Sequence, residues 1–149
     1  MTMIPVETRE MNLVLLVRVF LGVLFLLQGY DKVFRMGVKA VVENIHTPLA
    51  EKGVPNIFSI IGAYFTSYTE LICGALLIIG FVKYYCLYLL GLDLLFVAVA
   101  FGIVEPMWDM KHIFPRLALL IFLLAVPSQW DIISVDRIWS FFKFLKSIF

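Results

Sequence analysis

An all-α membrane protein, with four transmembrane helices packed as a bundle, is the fold class this sequence predicts. Three observations carry it. The 149 residues are 62% hydrophobic and only 15% charged, with a mean hydropathy of +0.99. A water-soluble fold of that composition would have too little polar surface to cover itself. The apolar residues gather in four blocks near the ~20-residue length that a bilayer asks of a helix. No long polar region separates the blocks, so residues 1–149 read as one membrane domain.

The first span runs from about Met11 to Phe34. Arg9 ahead of it imitates a secretory signal, but the run is long and lacks a small-x-small cleavage site, so it reads as an uncleaved span. Between Arg35 and Asn56, Val38, Val41, Val42, Ile45 and Leu49 recur at helical spacing among Lys39, Glu43, His46 and Glu51. That pattern predicts an amphipathic helix on the membrane surface. Thr47-Pro48 reads as its N-cap and first-turn proline, and Gly53-Val54-Pro55 as a stop.

The second span covers about Ile57 to Phe81 and the third about Tyr84 to Val104. Only Val82-Lys83 divides them, so they are antiparallel neighbours. Glu105-Pro106 ends the third span, and a fourth extends from about Ile113 to Trp130. The tail, 134–149, spaces Asp136, Ser140, Lys143 and Ser147 against Ile138, Trp139, Phe142, Leu145 and Phe149, as an interfacial helix with aromatic anchors would. Trp108 and Trp130 also fall near span ends, as bilayer anchors do. Four spans put both termini on one side. The loop cations are nearly balanced, and cytoplasmic termini are the expectation.

Each span carries one ionisable residue well inside it: Arg18, Glu70, Asp93 and Arg116. A charge at mid-bilayer costs at least ~2.5–3.5 kcal/mol, so each needs a partner or a task. Glu70 and Asp93 lie about eleven or twelve residues from the hairpin centre, level within a helical turn. Arg18 and Arg116 reach toward that layer from opposite ends. Two cations and two anions sum to zero, which predicts a buried neutral quartet. Helical phase agrees: Gly22, Phe25, Gly29 and Lys32 fall within about 40° of Arg18. Around Glu70 the same stripe holds Ala63, Thr66, Ser67 and Gly74, small residues that let membrane helices approach. Such a network either fixes helix register or serves a site that binds a head group or quinone, or relays protons. Gln28 and Lys32, at the end of span one, are candidate head-group contacts or interfacial anchors.

Other chemistry is sparse. A net charge of +1 indicates no nucleic-acid partner. His46 and His112 fall in or beside loops, and no spacing of His, Cys and Asp suggests a metal site. Cys73 and Cys86 flank the hairpin at depths that differ by roughly 8 Å when its centre is placed at Val82, which predicts two apolar fillers and no disulfide.

The stretch Arg18-Val-Phe-Leu-Gly22 with Phe25-Leu-Leu-Gln-Gly29-Tyr-Asp-Lys32 resembles the opening signature of the DoxX family. Gly53-Val-Pro55 and Glu70-Leu-Ile-Cys-Gly74, continuing to Gly80, are similar to its second helix. Lys111-His112-Ile-Phe114-Pro-Arg116 and Ser134-Val-Asp136 fit more loosely. The resemblance implies a four-helix bundle of the bacterial inner membrane, DoxX/MauE-like, one branch of which supplies a subunit of thiosulfate:quinone oxidoreductase. Related bundles that oxidise thiols directly use a membrane-embedded C-x-x-C, which this chain lacks.

Two functions are compatible with the sequence. One is a small membrane subunit of a redox- or quinone-associated complex, with a bound quinone as the cofactor implied and other subunits, lipids or further copies as partners. The other is a non-catalytic scaffold or assembly protein. No self-contained catalytic motif decides whether the chain is an enzyme.

Overall fold

The computed structural model describes residues 6–104, 110–131 and 133–140, and all of their regular structure is helical. Helix α1 (Val6–Tyr30) passes without a break into a π-helical segment, Asp31–Met36. Helices α2 (Val38–Glu51), α3 (Asn56–Ile79), α4 (Lys83–Val104) and α5 (Met110–Ala125) follow. A short 3₁₀ turn, Ser128–Trp130, and a helical stretch over 135–140 complete the described chain.

Among the described residues, three helices are long and apolar enough to cross a membrane: Thr8–Met36, Asn56–Ile79 and Lys83–Val104. Their outward faces carry large apolar side chains, among them Leu16, Leu27, Phe58, Ile72, Tyr85 and Leu95. An apolar exterior of this kind suits lipid, not water. The fourth expected span differs in length. It was expected to reach Trp130, but α5 ends at Ala125 because Pro127 has no N–H to offer and disfavours helix at the residue before it. At ~1.5 Å per residue, the 16 residues of α5 extend about 24 Å, short of a ~30 Å hydrocarbon core.

The amphipathic loop helix is present as α2, whose Val38, Val41 and Leu49 are buried. Its start is corrected. Pro48 lies inside its last turns, and Thr47 Oγ1 donates to the Glu43 carbonyl at 2.9 Å, so Thr47 is no N-cap. Burial of the apolar face carries the helix through a proline that local propensity would put at its beginning. Of the expected tail, 134–140 fall within the described residues and are helical over 135–140; Glu105, Pro106 and Trp108 lie outside them.

α1 packs most extensively against α3. Three glycines set the distance. A Cβ on Gly22 would meet Ile78 Cγ1 at 2.8 Å, one on Gly74 would meet Leu26 Cα at 2.8 Å, and one on Gly29 would overlap the Leu71 backbone. Backbones approaching this closely gain contact that bulkier residues would prevent. Val14, Leu21, Phe25, Leu77, Leu87, Leu90 and Leu123 fill the interior behind that seam.

Candidate functional site: a polar cavity at the bundle centre

The buried charges form two groups. The first lies at the α3–α4 turn. Gly80 ends α3 in the left-handed conformation (φ 72°), and the N–H groups of Gly80 and Phe81 donate to Leu77 O and Leu76 O. This exposes carbonyls to α1, and Arg18 takes them: Nη1 donates to Leu77 O at 2.9 Å and to Ile78 O at 3.2 Å. Nη2 donates to Ile133 O, and Nε lies 3.3 Å from Asp131 Oδ1. Lys83 Nζ reaches the other oxygen of Asp131 at 3.0 Å. Asp136 accepts the N–H groups of Val82 and Lys83 at 2.8 and 3.0 Å, capping α4. The segment after α5 is thereby pinned across the hairpin, and its charges are matched. It is a structural clasp.

The second group lies deeper. Glu70 is buried on α3, and Lys32 Nζ approaches its Oε2 at 2.8 Å. The π-helical segment containing Lys32 widens the end of α1, a departure from α-helix that recurs at functional sites. Gln28, Glu70 and Arg116 meet Leu94, Val97, Phe101 and Ile113 around a cavity of about 170 Å³. The Arg116 guanidinium sits 5.7 Å from the centre of the Phe25 ring and has no carboxylate in salt-bridge contact among the described residues. Asp93 is wholly buried beside this group, within electrostatic reach of Glu70, Lys32 and Arg116. Neither of its oxygens has a hydrogen-bond partner among the described residues, nor do Gln28 Oε1 and Ser67 Oγ. Buried polar atoms left open in this way lose ~1–3 kcal/mol each unless something fills the site.

The expected quartet is therefore redrawn. Glu70, Asp93 and Arg116 share one neighbourhood, and Arg18 does not belong to it. Arg18 is level with Leu77 and Ile78, seven and eight residues from Glu70 along α3, or about 10–12 Å away. Lys32 takes its place as the second cation, with Gln28 on the cavity wall. The phase relation already visible in α1 could have found Lys32, because it shares a face with Gly29, which lies against Glu70 and Leu71. Asp131 and Lys83 carried no comparable signal, each lying at the edge of an apolar run.

His46 Nδ1 lies 3.4 Å from Ser59 Oγ, a loop-to-span contact remote from the cavity residues in sequence; the His112 side chain lies outside the described residues. Trp130 packs in part against the core, and Trp139 is exposed. No group of three or more His, Cys, Asp and Glu side chains that could hold a metal ion occurs among the described residues. Cys73 and Cys86 are both free and buried in the apolar core, as expected of fillers. The turn occupies Gly80–Val82 and so centres on Phe81, which leaves the two positions about three residues apart in depth, and Cys86 Sγ lies 3.8 Å from the Phe81 carbonyl.

Fold and site together define a helical membrane protein with a partly open cavity that Glu70 and Arg116 line. The DoxX family model matches residues 13–104, and the chain belongs to that family. No curated protein and no solved structure matches the chain.

Proposed function

We propose that the chain is a small integral membrane subunit of a larger, quinone-associated redox complex, and that its central cavity receives the oxygen-bearing ring of a quinone. The observation that carries this reading is the cavity's composition. Its polar wall is Arg116, Gln28 and Glu70, the last held by Lys32 from outside the lining; the rest is Leu94, Val97, Phe101 and Ile113. An amphipathic ligand with one polar edge fits such a wall. A cavity near 150 Å³ accommodates benzene, so about 170 Å³ suits a single six-membered ring. Arg116 would donate to a ring oxygen, while Glu70 or Asp93 passes the accompanying proton. A lipid head group, larger and more strongly charged, fits the same donors less well. Any electron-transfer cofactor belongs to a partner subunit.

In this reading α5 and the 3₁₀ turn after it complete a fourth crossing, with both termini on the cytoplasmic side of a bacterial inner membrane. The second reading, a non-catalytic scaffold, draws on the clasp around Arg18, where the polar groups are matched and no chemistry is called for.

Purification in mild detergent, followed by mass spectrometry of everything retained, tests the two. A quinone bound near one per chain and lost in Arg116→Gln supports the cavity reading. Retention of partner subunits without any quinone, in wild type and variant alike, defeats it and leaves the scaffold.

A further inference from the structure

The inner face of α3 packs on the bundle, and its outer face carries a pattern of its own. Ile57, Ile61, Tyr64, Tyr68, Ile72 and Ile79 are all exposed. At ~100° per residue they fall on one stripe about 80° wide, running the length of the helix. Their steps of four, three and seven residues are those of a helix–helix seam. No charged residue interrupts the stripe.

Two members of the stripe are out of place in lipid. Tyrosine ordinarily sits at the membrane surface with its hydroxyl in the headgroup layer, as Tyr84 and Tyr85 at the start of α4 are positioned to do. Tyr68 instead stands at the midpoint of α3, about 17 Å from either end at ~1.5 Å per residue, with Tyr64 one turn nearer Asn56. Their rings stack with centroids 6.3 Å apart and planes at 25°, which fixes both phenols on the outer face. On the inner face the hydroxyls of Ser59 and Thr66 have hydrogen-bond partners; those of Tyr64 and Tyr68 have none among the described residues. Acyl chains neither donate nor accept, so a hydroxyl held at this depth needs a partner from protein.

We propose that this stripe is the interface of a homodimer, in which α3 of one chain lies against α3 of a second copy in the same membrane orientation. A phenol both donates and accepts, so identical hydroxyls brought face to face answer each other. A two-fold axis along the membrane normal keeps every residue level with its own counterpart, and the two tyrosine pairs then meet at mid-bilayer. The isoleucines on either side interdigitate above and below them. A stripe without charge asks no unlike partner for a complement. Glu70 lies on the opposite side of α3, so the interface is independent of what the cavity holds.

The test uses the full chain reconstituted in liposomes at graded protein-to-lipid ratios, with association read by energy transfer between labelled copies. Dimers are expected in wild type. The double variant Tyr64→Phe/Tyr68→Phe, which keeps both rings, should weaken association about tenfold, as the loss of two interhelical hydrogen bonds would. Oxidative cross-linking locates the face. In a Cys73→Ala/Cys86→Ala background checked for helical content, Ile72→Cys should join two copies, and Leu16→Cys, equally exposed to lipid but on α1, should not. A chain that stays monomeric at every ratio overturns the proposal and leaves lipid as the cover. Association as tight in the double phenylalanine variant, or cross-linking through Leu16→Cys in place of Ile72→Cys, overturns it as well. So does Ile72→Cys captured in native membranes on a different protein alone. A monomer that still retains quinone would leave the cavity reading standing.

Discussion

Lys32 Nζ stands 2.8 Å from Glu70 Oε2, with the lysine 16% exposed and the glutamate 1%. The pair joins the end of the first span to the middle of the second, and it neutralises the one carboxylate that lines the cavity. Removal of either member strands the other in a low-dielectric interior, which typically costs ~3–5 kcal/mol. Lys32→Met is expected to destabilise the protein by that order in a detergent or lipid unfolding titration. The double variant Lys32→Met/Glu70→Met should recover most of the loss. A double variant as unstable as the single would mean that the pair is not what links these spans.

The α1–α3 seam makes a second expectation. Gly29→Ala puts a methyl group into the Leu71 backbone, and neither backbone can yield without moving a whole helix. Overpacking of this kind costs ~1–3 kcal/mol. Gly62→Ala, on the same α3 with nothing near its Cβ position, should cost nothing and even gain up to ~1 kcal/mol from helix propensity. Parallel unfolding curves check the contrast, and equal effects at the two sites would refute the close approach.

Asp136 as the cap of α4 predicts a graded series. Asp136→Ala is expected to lower stability by ~0.5–2 kcal/mol, and Asp136→Asn by less, since the amide keeps one acceptor. Hydrogen exchange localises the effect: the amides of Val82 and Lys83 should lose protection first. Unchanged exchange at those two amides would show that the cap is absent.

Arg18→Lys tests the clasp. A guanidinium serves the acceptors of Leu77, Ile78, Ile133 and Asp131 at once, and an ammonium with three donors on a single atom cannot span them. The segment 126–136 should become sensitive to limited proteolysis in Arg18→Lys while α1–α4 stay protected. Resistance equal to wild type would argue that Asp131 and Asp136 alone hold the segment.

Much of this architecture was legible in the residues. Apolar run length located the three long spans to within a few residues, because in lipid length and hydropathy are the governing constraint. The small-residue stripe of Ala63, Ser67 and Gly74 correctly foretold the inward face of α3. Depth counting failed where backbone geometry intervenes. Placing the hairpin centre at Val82 instead of Phe81 overstates the difference in depth between Cys73 and Cys86. Arg18 was drawn toward mid-bilayer because a side chain's reach does not tell which carbonyls a left-handed cap will uncover. Gly80 and its φ of 72° decided that, and nothing in the apolar pattern around it announced the partner.

The capping of α4 by Asp136 has a consequence for biogenesis. The helix begins at Lys83, yet the carboxylate that completes its first turn is synthesised 53 residues later. Arg18 likewise waits for the Ile133 carbonyl, 115 positions downstream. The hairpin therefore enters the bilayer with its first amides unanswered and an arginine still seeking acceptors. Each span can insert in turn, but the ribosome must release the last of these segments before the bundle locks, so a nascent chain halted short of Asp131 should remain open to protease and to chaperones long after its three long helices are in the membrane.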